Sequence, residues 1–154
     1  MGWVVMRIES DEALIALIRK LRRVAVLGVS NRVDRPSLKV FKFWRERGVD
    51  AVPVNPNLAS QEIEGRCVMP DLSSIAQPVD MVDVFRDSSF LPEITDQVIA
   101  LKVPVLWTQL GVMHTEAEKK ALANGVSLVV NKCPAQEIPR LERDGHVFDF
   151  VSQS

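Results

Sequence analysis

Short valine-rich runs alternate with segments of helical spacing along most of the 154-residue chain, and this alternation restricts the possible fold more than any other feature. Each run ends at a turn-forming or polar residue, which is typical of a buried strand. The five runs are Val24–Gly28, Ala51–Val54, Val79–Phe85, Val103–Trp107 and Val126–Val130. Strands that alternate with helices predict an α/β fold with a Rossmann-like, doubly wound, parallel five-stranded sheet.

Helix signals precede and separate these runs. Ser10 is expected to cap a first helix whose last turn contains the basic residues between positions 19 and 23. Thr115 and Glu118 form a T-x-x-E capping box at the start of the fourth helix. Residues 134–141 are predicted to form a last helical turn. A further helix is expected to begin at Pro36, and Pro92 fits the first turn of another that runs to about Leu101.

Composition indicates one ordinary domain. We expect an N-terminal extension over residues 1–9, a single domain over 10–141, and a loosely attached tail over 142–154. Two cysteines are too few for a disulfide framework. No apolar run reaches the roughly 18 residues of a membrane helix, and the N-terminus is a poor signal peptide. We therefore expect a cytoplasmic protein without a membrane partner.

Charge is distributed unevenly along the chain. Residues 29–47 hold six basic and two acidic side chains, a net charge of +4, so the rest of the chain carries −5 of the overall −1. A local basic segment favours a compact anionic ligand over a long polyanion such as nucleic acid. The alternative for this segment is a solvated helix face.

The end of the first strand carries the clearest ligand signal, because ligands bind beyond the carboxyl ends of parallel strands. Gly28 leads into a hydroxylated, basic loop and then a helix N-terminus, which attracts anions. Ser30 and Val33 stand where a G-x-G-x-x-G motif needs glycines, and no Walker A sequence follows. The loop either holds a phosphate group or is a helix cap with solvated arginines.

The next two strand ends give weaker signals. Asn55 stands where an NAD site needs an acidic residue for the ribose, although Asn-Pro-Asn alone also indicates a simple turn. Phe85 and Arg86 suit an adenine and a phosphate, or a core phenylalanine beside an exposed arginine. Asp83, inside the third strand, needs hydrogen-bond donors if it is buried, which favours a structural role.

The last two strand ends carry an amide-rich turn and a cysteine. Gln109 and Gly111 follow the fourth strand and offer amide groups to a polar, linear ligand. Cys133 follows the fifth strand without a histidine or a C-x-x-C partner, so a metal site is not expected. Cys133 either packs as a small apolar residue or meets a ligand thiol as a thiolate favoured by Lys132.

Six short segments, placed at strand ends and helix starts, together carry a family resemblance. They are Val24–Ser30, Arg35–Ser37, Val52–Pro56, Val79–Arg86, Trp107–Val112 and Lys132–Pro134. In this order they resemble the small bacterial CoA-binding proteins, single-domain relatives of the CoA-binding domain of the succinyl-CoA synthetase alpha subunit. The resemblance covers about residues 10–140 and implies a Rossmann-like fold that binds coenzyme A or an acyl-CoA.

The resemblance also implies ligand contacts by position. The residues expected to hold phosphates are Gly28, Val29, Ser30, Arg35, Ser37 and Lys39. Asn55 and Pro56 would lie along the ribose, Phe85 and Arg86 beside the adenosine end, and Gln109 and Gly111 along the pantetheine arm. Asn131 and Lys132 stand where relatives often have Asp-Arg. The synthetases' phosphorylated histidine belongs to a second domain and their ATP-grasp unit to a partner, so ligase activity is not implied.

Three other functions fit parts of the sequence. An NAD(P)-binding enzyme domain would lack its glycines and its acidic ribose anchor. A hydrolase would use Ser30 as the nucleophile, but Arg32 replaces the last glycine of G-x-S-x-G. A protein-interaction module would keep only the fold. We expect a CoA-binding protein whose chain alone has no complete catalytic set, with the acyl group, protein partner and oligomeric state left open.

Overall fold

The computed structural model describes residues 4–150. Its strands are β1 (Arg23–Leu27), β2 (Asp50–Val54), β3 (Glu62–Ile63), β4 (Arg66–Cys67), β5 (Met81–Val84), β6 (Val105–Thr108) and β7 (Ser127–Val129). Five of them form one parallel sheet in the order β2-β1-β5-β6-β7, while β3 and β4 pair as a small antiparallel hairpin. The predicted α/β fold with a parallel five-stranded sheet is therefore confirmed.

Between residues 4 and 150, five α-helices cover the two faces of this sheet. They are α1 (Asp11–Ile18), α2 (Pro36–Glu46), α3 (Leu91–Ala100), α4 (Thr115–Ala123) and α5 (Pro134–Arg143). Buried side chains of α1, α2 and α5 form one core with Val24 and Val26, and those of α3 and α4 form a second core with Ala25 and Leu27. Alternate residues of β1 thus face opposite layers, as in a doubly wound sheet. Within residues 4–150, no helix is long and apolar enough to cross a bilayer.

The strand order reverses between β1 and β5. From β1 the chain first crosses to β2 on one side, and it later enters β5 on the other side of β1. Backbone hydrogen bonds continue past the strand ends, because Gly28 N donates to Val54 O and Phe85 N donates to Leu27 O, both at 2.8 Å. The loops after β1 and β5 therefore diverge from one point, where sheets of this kind bind their ligands.

Short segments cover both edges of the sheet. At the β2 edge, Met69 N donates to Pro53 O at 2.9 Å, and Pro53 itself lacks the N–H that a central strand would need. At the β7 edge, Ile8 N donates to Leu128 O at 2.7 Å, and Arg7 forms an ion pair with Glu118. The start of the described chain therefore packs on the domain, although residues 1–9 were expected to be an extension.

The first helix confirms its predicted cap but ends earlier than expected. Ser10 Oγ accepts a hydrogen bond from Ala13 N at 3.1 Å. The helix ends at Ile18, and Arg19 is its C-cap, so the prediction of a basic last turn is wrong. Arg19, Lys20 and Arg22 instead belong to the turn that places the fully buried Leu21 in the core, and Arg23 is already the first residue of β1.

The fourth helix is capped one residue before the predicted position. His114, not Thr115, is the N-cap, and its Nδ1 accepts from Ala117 N at 3.2 Å. Glu118 Oε2 accepts from His114 N at 2.8 Å, so the return bond to the cap comes from the fourth helical residue rather than from the third, as it would in a capping box. The sequence pattern predicted the correct glutamate and the wrong cap.

The C-terminal tail is attached more firmly than predicted. The last helix, α5, runs to Arg143 rather than forming a single turn. Phe150 is only 4% exposed and meets Trp44 edge to face, with 6.4 Å between ring centroids. Phe148 stacks on Phe150, and the Arg19 guanidinium lies over the Phe148 ring. The expectation of a loose tail is therefore wrong for residues 144–150.

Candidate functional site

A cavity of about 720 Å³ opens where the strand order reverses. Its lining comes from the ends of β1, β5 and β6 and from the N-termini of α2 and α5. The lining residues are Gly28, Ser30, Arg32, Arg35, Pro36, Ser37, Phe85, Arg86, Asp87, Ser88, Gln109, Leu110, Gly111, Val112, Cys133 and Gln136. Its volume lies in the range of small-molecule and cofactor sites.

Gly28 brings two backbones together at the base of this cavity. Its φ of +92° lies in the region that favours glycine, and a Cβ built on it would lie 2.5 Å from the Phe85 carbonyl oxygen. No side chain fits in this gap, because the obstructing atom belongs to the adjacent backbone. Glycine here therefore keeps the first loop open at the point where β1 and β5 diverge.

Hydroxyl and amide side chains hold the first loop in shape. Ser37 Oγ accepts from Ser30 N at 2.9 Å, and Ser30 Oγ accepts from Arg32 N at 3.0 Å. Asn55 Nδ2 donates to Val29 O at 2.8 Å from the neighbouring strand end. Val29 is fully buried, and Asn55 supports the loop from β2 rather than lining the cavity.

Positive charge converges on the cavity from the loops after β1 and β5. Arg32, Arg35 and Arg86 line the cavity beside one carboxylate, Asp87. The Arg86 guanidinium stacks on the Phe90 ring at 4.1 Å from its centroid, which fixes the plane of the cation. Serine hydrogen bonds, led by the side chain of Ser89, hold the pKa of Asp87 below its ordinary value, so this acid is ionised. The surplus of arginines suits an anion with more than one charge.

Two helix N-termini open toward the cavity without a side-chain cap. Among the described residues, neither Arg35 before α2 nor Cys133 before α5 provides a side-chain hydrogen bond to the first turn, whereas Ser10 and His114 cap α1 and α4. Free N–H groups and the helix dipole both attract anions at such ends. The first turn of α2 contains no acidic residue that would oppose this attraction.

The remainder of the basic segment is directed elsewhere. Lys39 is exposed and lies outside the cavity lining. Lys42 pairs with Glu64 at 3.9 Å, and Arg47 pairs with Glu142 at 2.5 Å. The +4 segment of the sequence thus divides into a part at the cavity and a part along the outer face of α2.

A rigid turn after β6 forms the opposite wall of the cavity. Gly111, with a φ of +83°, donates its N–H to Asn131 Oδ1 at 2.7 Å. Thr108 Oγ1 donates to Val112 O at 2.7 Å, and Ser88 Oγ accepts from Met113 N at 2.9 Å. The side chain of Asn131 therefore holds the turn through the Gly111 N–H.

Behind this wall lies a buried acid. Asp83 in β5 has no solvent exposure, and its Oδ2 accepts from Trp44 Nε1 at 3.1 Å. Its Oδ1 accepts from Gln109 Nε2. Burial raises the pKa of Asp83 to about 7, against the opposing effect of the two hydrogen bonds. The predicted structural role is consistent with these donors, and Gln109 connects the acid to the cavity.

Cys133 lines the cavity as a half-buried thiol. Burial raises its pKa, and the nearby backbone N–H groups of Ala135 and Gln136 only partly oppose the effect. The thiol form therefore dominates at neutral pH. This disfavours the alternative in which Lys132 stabilises a reactive thiolate at Cys133. Within the described residues, no group of three or more acidic, histidine or cysteine side chains could hold a metal ion.

The structure brings eight of the twelve residues predicted from the sequence to the cavity lining. These eight are Gly28, Ser30, Arg35, Ser37, Phe85, Arg86, Gln109 and Gly111. The other four lie outside it, since Val29 is buried, Asn55 supports the loop, and Lys39 and Pro56 are exposed. The sequence places Arg32 in the basic loop but not among the expected ligand contacts, and it gives no expectation for Asp87 or Gln136. The position of Arg32 in the basic loop is a sequence signal that could have placed it among the expected ligand contacts. Gln136 has no such signal, because it reaches the cavity only through the orientation of α5 in the fold.

Comparison with known proteins gives consistent results. Residues 22–139 match the sequence model of a family described as CoA binding domain. The uncharacterized protein YneT of Bacillus subtilis (strain 168) is 32% identical over 117 residues, which cover 76% of this chain and 85% of YneT.

Solved structures share the fold of this chain. The structure of cell-free ID.343 from Thermus thermophilus is 34% identical with a TM-score of 0.83, covering 86% of this chain and 99% of that one. A hypothetical protein from Pyrococcus horikoshii OT3 is 30% identical with a TM-score of 0.83, covering 92% and 99%. The fold, the cavity at the strand-order reversal and these matches together show that the chain belongs to the family of CoA-binding domains.

Proposed function

We propose that this protein binds coenzyme A, or an acyl-CoA, in the cavity at the strand-order reversal, and that the chain alone performs no catalysis on it. The observation that carries the proposal is the convergence of the open N-terminus of α2 with Arg35 and Arg86 at Gly28. Coenzyme A presents a pyrophosphate and a 3′-phosphate, and phosphates are favoured by arginine forks and free helix N–H groups.

The opposite wall supports the rest of the ligand. The turn from Gln109 to Val112 lines the cavity and carries the side-chain amide of Gln109. A pantetheine arm contains two amides, which need hydrogen-bond partners once they leave water. A cavity with cationic groups on one wall and amide groups on the other matches the two chemical halves of coenzyme A.

The non-catalytic part of the proposal rests on the surroundings of Ser30. Its Oγ accepts from Arg32 N within the loop, and neither described histidine lines the cavity. His114 caps α4 through Nδ1. A serine without a neighbouring base lacks the activation that nucleophilic catalysis requires.

Calorimetric titration with coenzyme A, dephospho-CoA and NAD tests the binding function. We expect coenzyme A to bind most tightly, dephospho-CoA at least about tenfold more weakly, and the coenzyme A affinity to fall with added salt. Tighter binding of NAD would contradict the proposal and favour an NAD(P)-binding enzyme. Failure to bind any of the three would favour a protein-interaction module.

A separate assay tests the absence of catalysis. Acyl-CoA incubated with the pure protein should stay intact over hours, as judged by mass spectrometry. Turnover that disappears in Ser30→Ala would contradict this expectation and identify Ser30 as a nucleophile.

A further inference from the structure

We propose that Asp83 acts as a positioning residue that determines which end of the Gln109 amide faces the cavity, and thereby whether the cavity accepts or donates a hydrogen bond there. The ionised carboxylate holds the amide nitrogen, so the carbonyl faces the ligand. The protonated acid holds the amide carbonyl, so the nitrogen faces the ligand. This inference rests on the proposed function only for the identity of the ligand.

The geometry restricts each atom of the network. Trp44 Nε1 is a donor only, so Oδ2 of Asp83 must accept from it in either protonation state. Gln109 Nε2 donates to Oδ1 of the same carboxylate. Among the described residues, no group donates a hydrogen bond to Oε1, the other end of the amide. Oε1 is also absent from the fully buried side-chain atoms that lack a partner, so it is accessible from outside the protein interior. Since Gln109 is 6% exposed and lines the cavity, Oε1 faces it.

Protonation reverses this arrangement. A proton added to Asp83 must sit on Oδ1, because the indole N–H already points at Oδ2. The new hydroxyl then meets the Gln109 nitrogen, donor against donor, and the amide relieves the conflict by rotating until Oε1 accepts from the hydroxyl. The nitrogen then faces the cavity. The raised pKa of Asp83, about 7, places this exchange close to neutral pH.

Asp83 is the group whose titration controls this exchange, because its neighbours do not change their charge around neutral pH. On the neighbouring strands, Asp83 pairs in register with Val26 of β1 and Trp107 of β6, neither of which titrates. On α5, the Cys133 thiol ionises only at alkaline pH, and Glu137 is held by Arg140 at 2.9 Å. The charged groups of the cavity lining itself are Arg32, Arg35, Arg86 and Asp87. Within the described residues, none of them forms a hydrogen bond or ion pair with Asp83.

The consequence for the ligand follows from its amide groups. With Asp83 ionised, Gln109 Oε1 accepts from an N–H of the pantetheine arm. With Asp83 protonated, two donors would face each other and the ligand would lose that hydrogen bond. We therefore expect coenzyme A to bind about five- to tenfold more tightly above pH 7 than below it through this contact alone.

Asp83→Asn separates the two states without changing the shape of the side chain. The Asn oxygen must face the Trp44 donor, so its amide nitrogen faces Gln109 and forces Oε1 toward position 83. The variant should therefore reproduce the protonated state at every pH. Asp96→Asn provides a matched control, since Asp96 lies on α3 in an exposed ion pair with Lys120.

Nuclear magnetic resonance of the ligand-free protein tests the coupling directly. The Asp83 carboxyl carbon and the Gln109 side-chain amide signals should titrate with one common midpoint near pH 7. In Asp83→Asn the Gln109 signals should stay at their low-pH positions, and in Asp96→Asn they should behave as in the wild type. A Gln109 signal that does not follow Asp83, or that stays at its high-pH position in Asp83→Asn, would overturn the proposal.

Binding measurements then test the effect on the ligand. The ratio of coenzyme A affinities at pH 8 and pH 6 should be about five- to tenfold larger in the wild type than in Asp83→Asn, a comparison that cancels the titration of the ligand phosphates. Equal ratios would overturn the role in ligand selection. Coupled signals without coenzyme A binding at any pH would support the Asp83–Gln109 coupling and contradict only the proposed function.

A second variant keeps the test valid if Asp83→Asn does not fold. Gln109→Met removes one donor from the carboxylate, so the pKa of Asp83 should rise further, and the pH dependence of coenzyme A affinity should shrink to that of the ligand. An unchanged Asp83 midpoint in Gln109→Met would overturn the proposal.

Discussion

At the scale of single residues, Gly28 sets the distance between the two strands that frame the cavity. We predict that Gly28→Ala destabilises the protein by more than about 2 kcal/mol, because the new methyl group meets the Phe85 carbonyl at 2.5 Å in addition to the strain of a positive φ. Gly125→Ala is the matched control, since its φ is +85° and no atom lies within 4 Å of its Cβ. Urea unfolding should give a loss of only about 1 kcal/mol for the control. Equal losses would contradict the close approach.

Asp83 predicts a pH dependence of stability whose sign follows from its pKa. The pKa of Asp83 in the folded protein, about 7, lies above the ordinary value of 3.8, so the folded state binds more protons than the unfolded state between these pH values. The free energy of unfolding should therefore fall as pH rises. Relative to Asp83→Asn, the wild type should lose roughly 3 kcal/mol between pH 4.5 and pH 8. A difference between the two proteins that does not change with pH would contradict the raised pKa.

Asp83 also shows how far the sequence alone could be interpreted at this scale. An aspartate inside a valine-rich strand must find donors, and this much follows from residue chemistry. The identity of the donors does not, because Trp44 and Gln109 lie 39 and 26 residues away and meet Asp83 only through the packing of α2 and the β5–β6 register. Because both donors come from distant elements, the sequence alone does not show that Asp83 is connected to the cavity through Gln109.

At the scale of elements, the start of α2 and its outer face carry similar charges with different surroundings. We predict that Arg35→Gln lowers coenzyme A affinity by about tenfold and reduces its salt dependence, because Arg35 lies beside the open helix N-terminus. Lys42→Gln removes the same charge from the outer face, where Lys42 pairs with Glu64, and should change affinity by less than about twofold. Equal losses in calorimetric titration would indicate a general field rather than a local contact.

Helix starts show the same limit of sequence reasoning. Proline at the first turn and Ser10 at the first cap were correct predictions, because each acts through its own backbone or its nearest N–H groups. The N-cap of the fourth helix lies one residue before the predicted Thr115, because His114 accepts through its Nδ1 atom. The T-x-x-E pattern considers only Thr115 as the cap. Sequence signals at helix starts therefore predict which helices form. They do not predict which of two adjacent residues, His114 or Thr115, caps α4.

At the scale of the whole molecule, the parallel sheet and the end of it that carries the cavity could be predicted from the sequence, whereas the burial of the tail against the core could not. Alternating strands and helices with right-handed crossovers allow few arrangements of a parallel sheet. All of them place Gly28, Phe85 and Gln109 at the carboxyl ends of the strands, on the same side of the sheet. The tail lacks any periodicity, so its aromatic residues gave no signal of burial. Phe150 reaches the core over Trp44, whose indole N–H in turn bonds Asp83.

The tail should therefore contribute to the stability of the entire domain. We predict that Phe150→Ala lowers the free energy of unfolding by roughly 3 kcal/mol, because it opens a cavity beside the fully buried Trp44. Val147→Ala is the control within the same segment, since Val147 is 74% exposed, and it should change stability by less than about 0.5 kcal/mol. Urea unfolding monitored by tryptophan fluorescence measures both. A loss below about 1 kcal/mol for Phe150→Ala would show that the tail only rests on the domain, and that α2 keeps Trp44 on Asp83 without it.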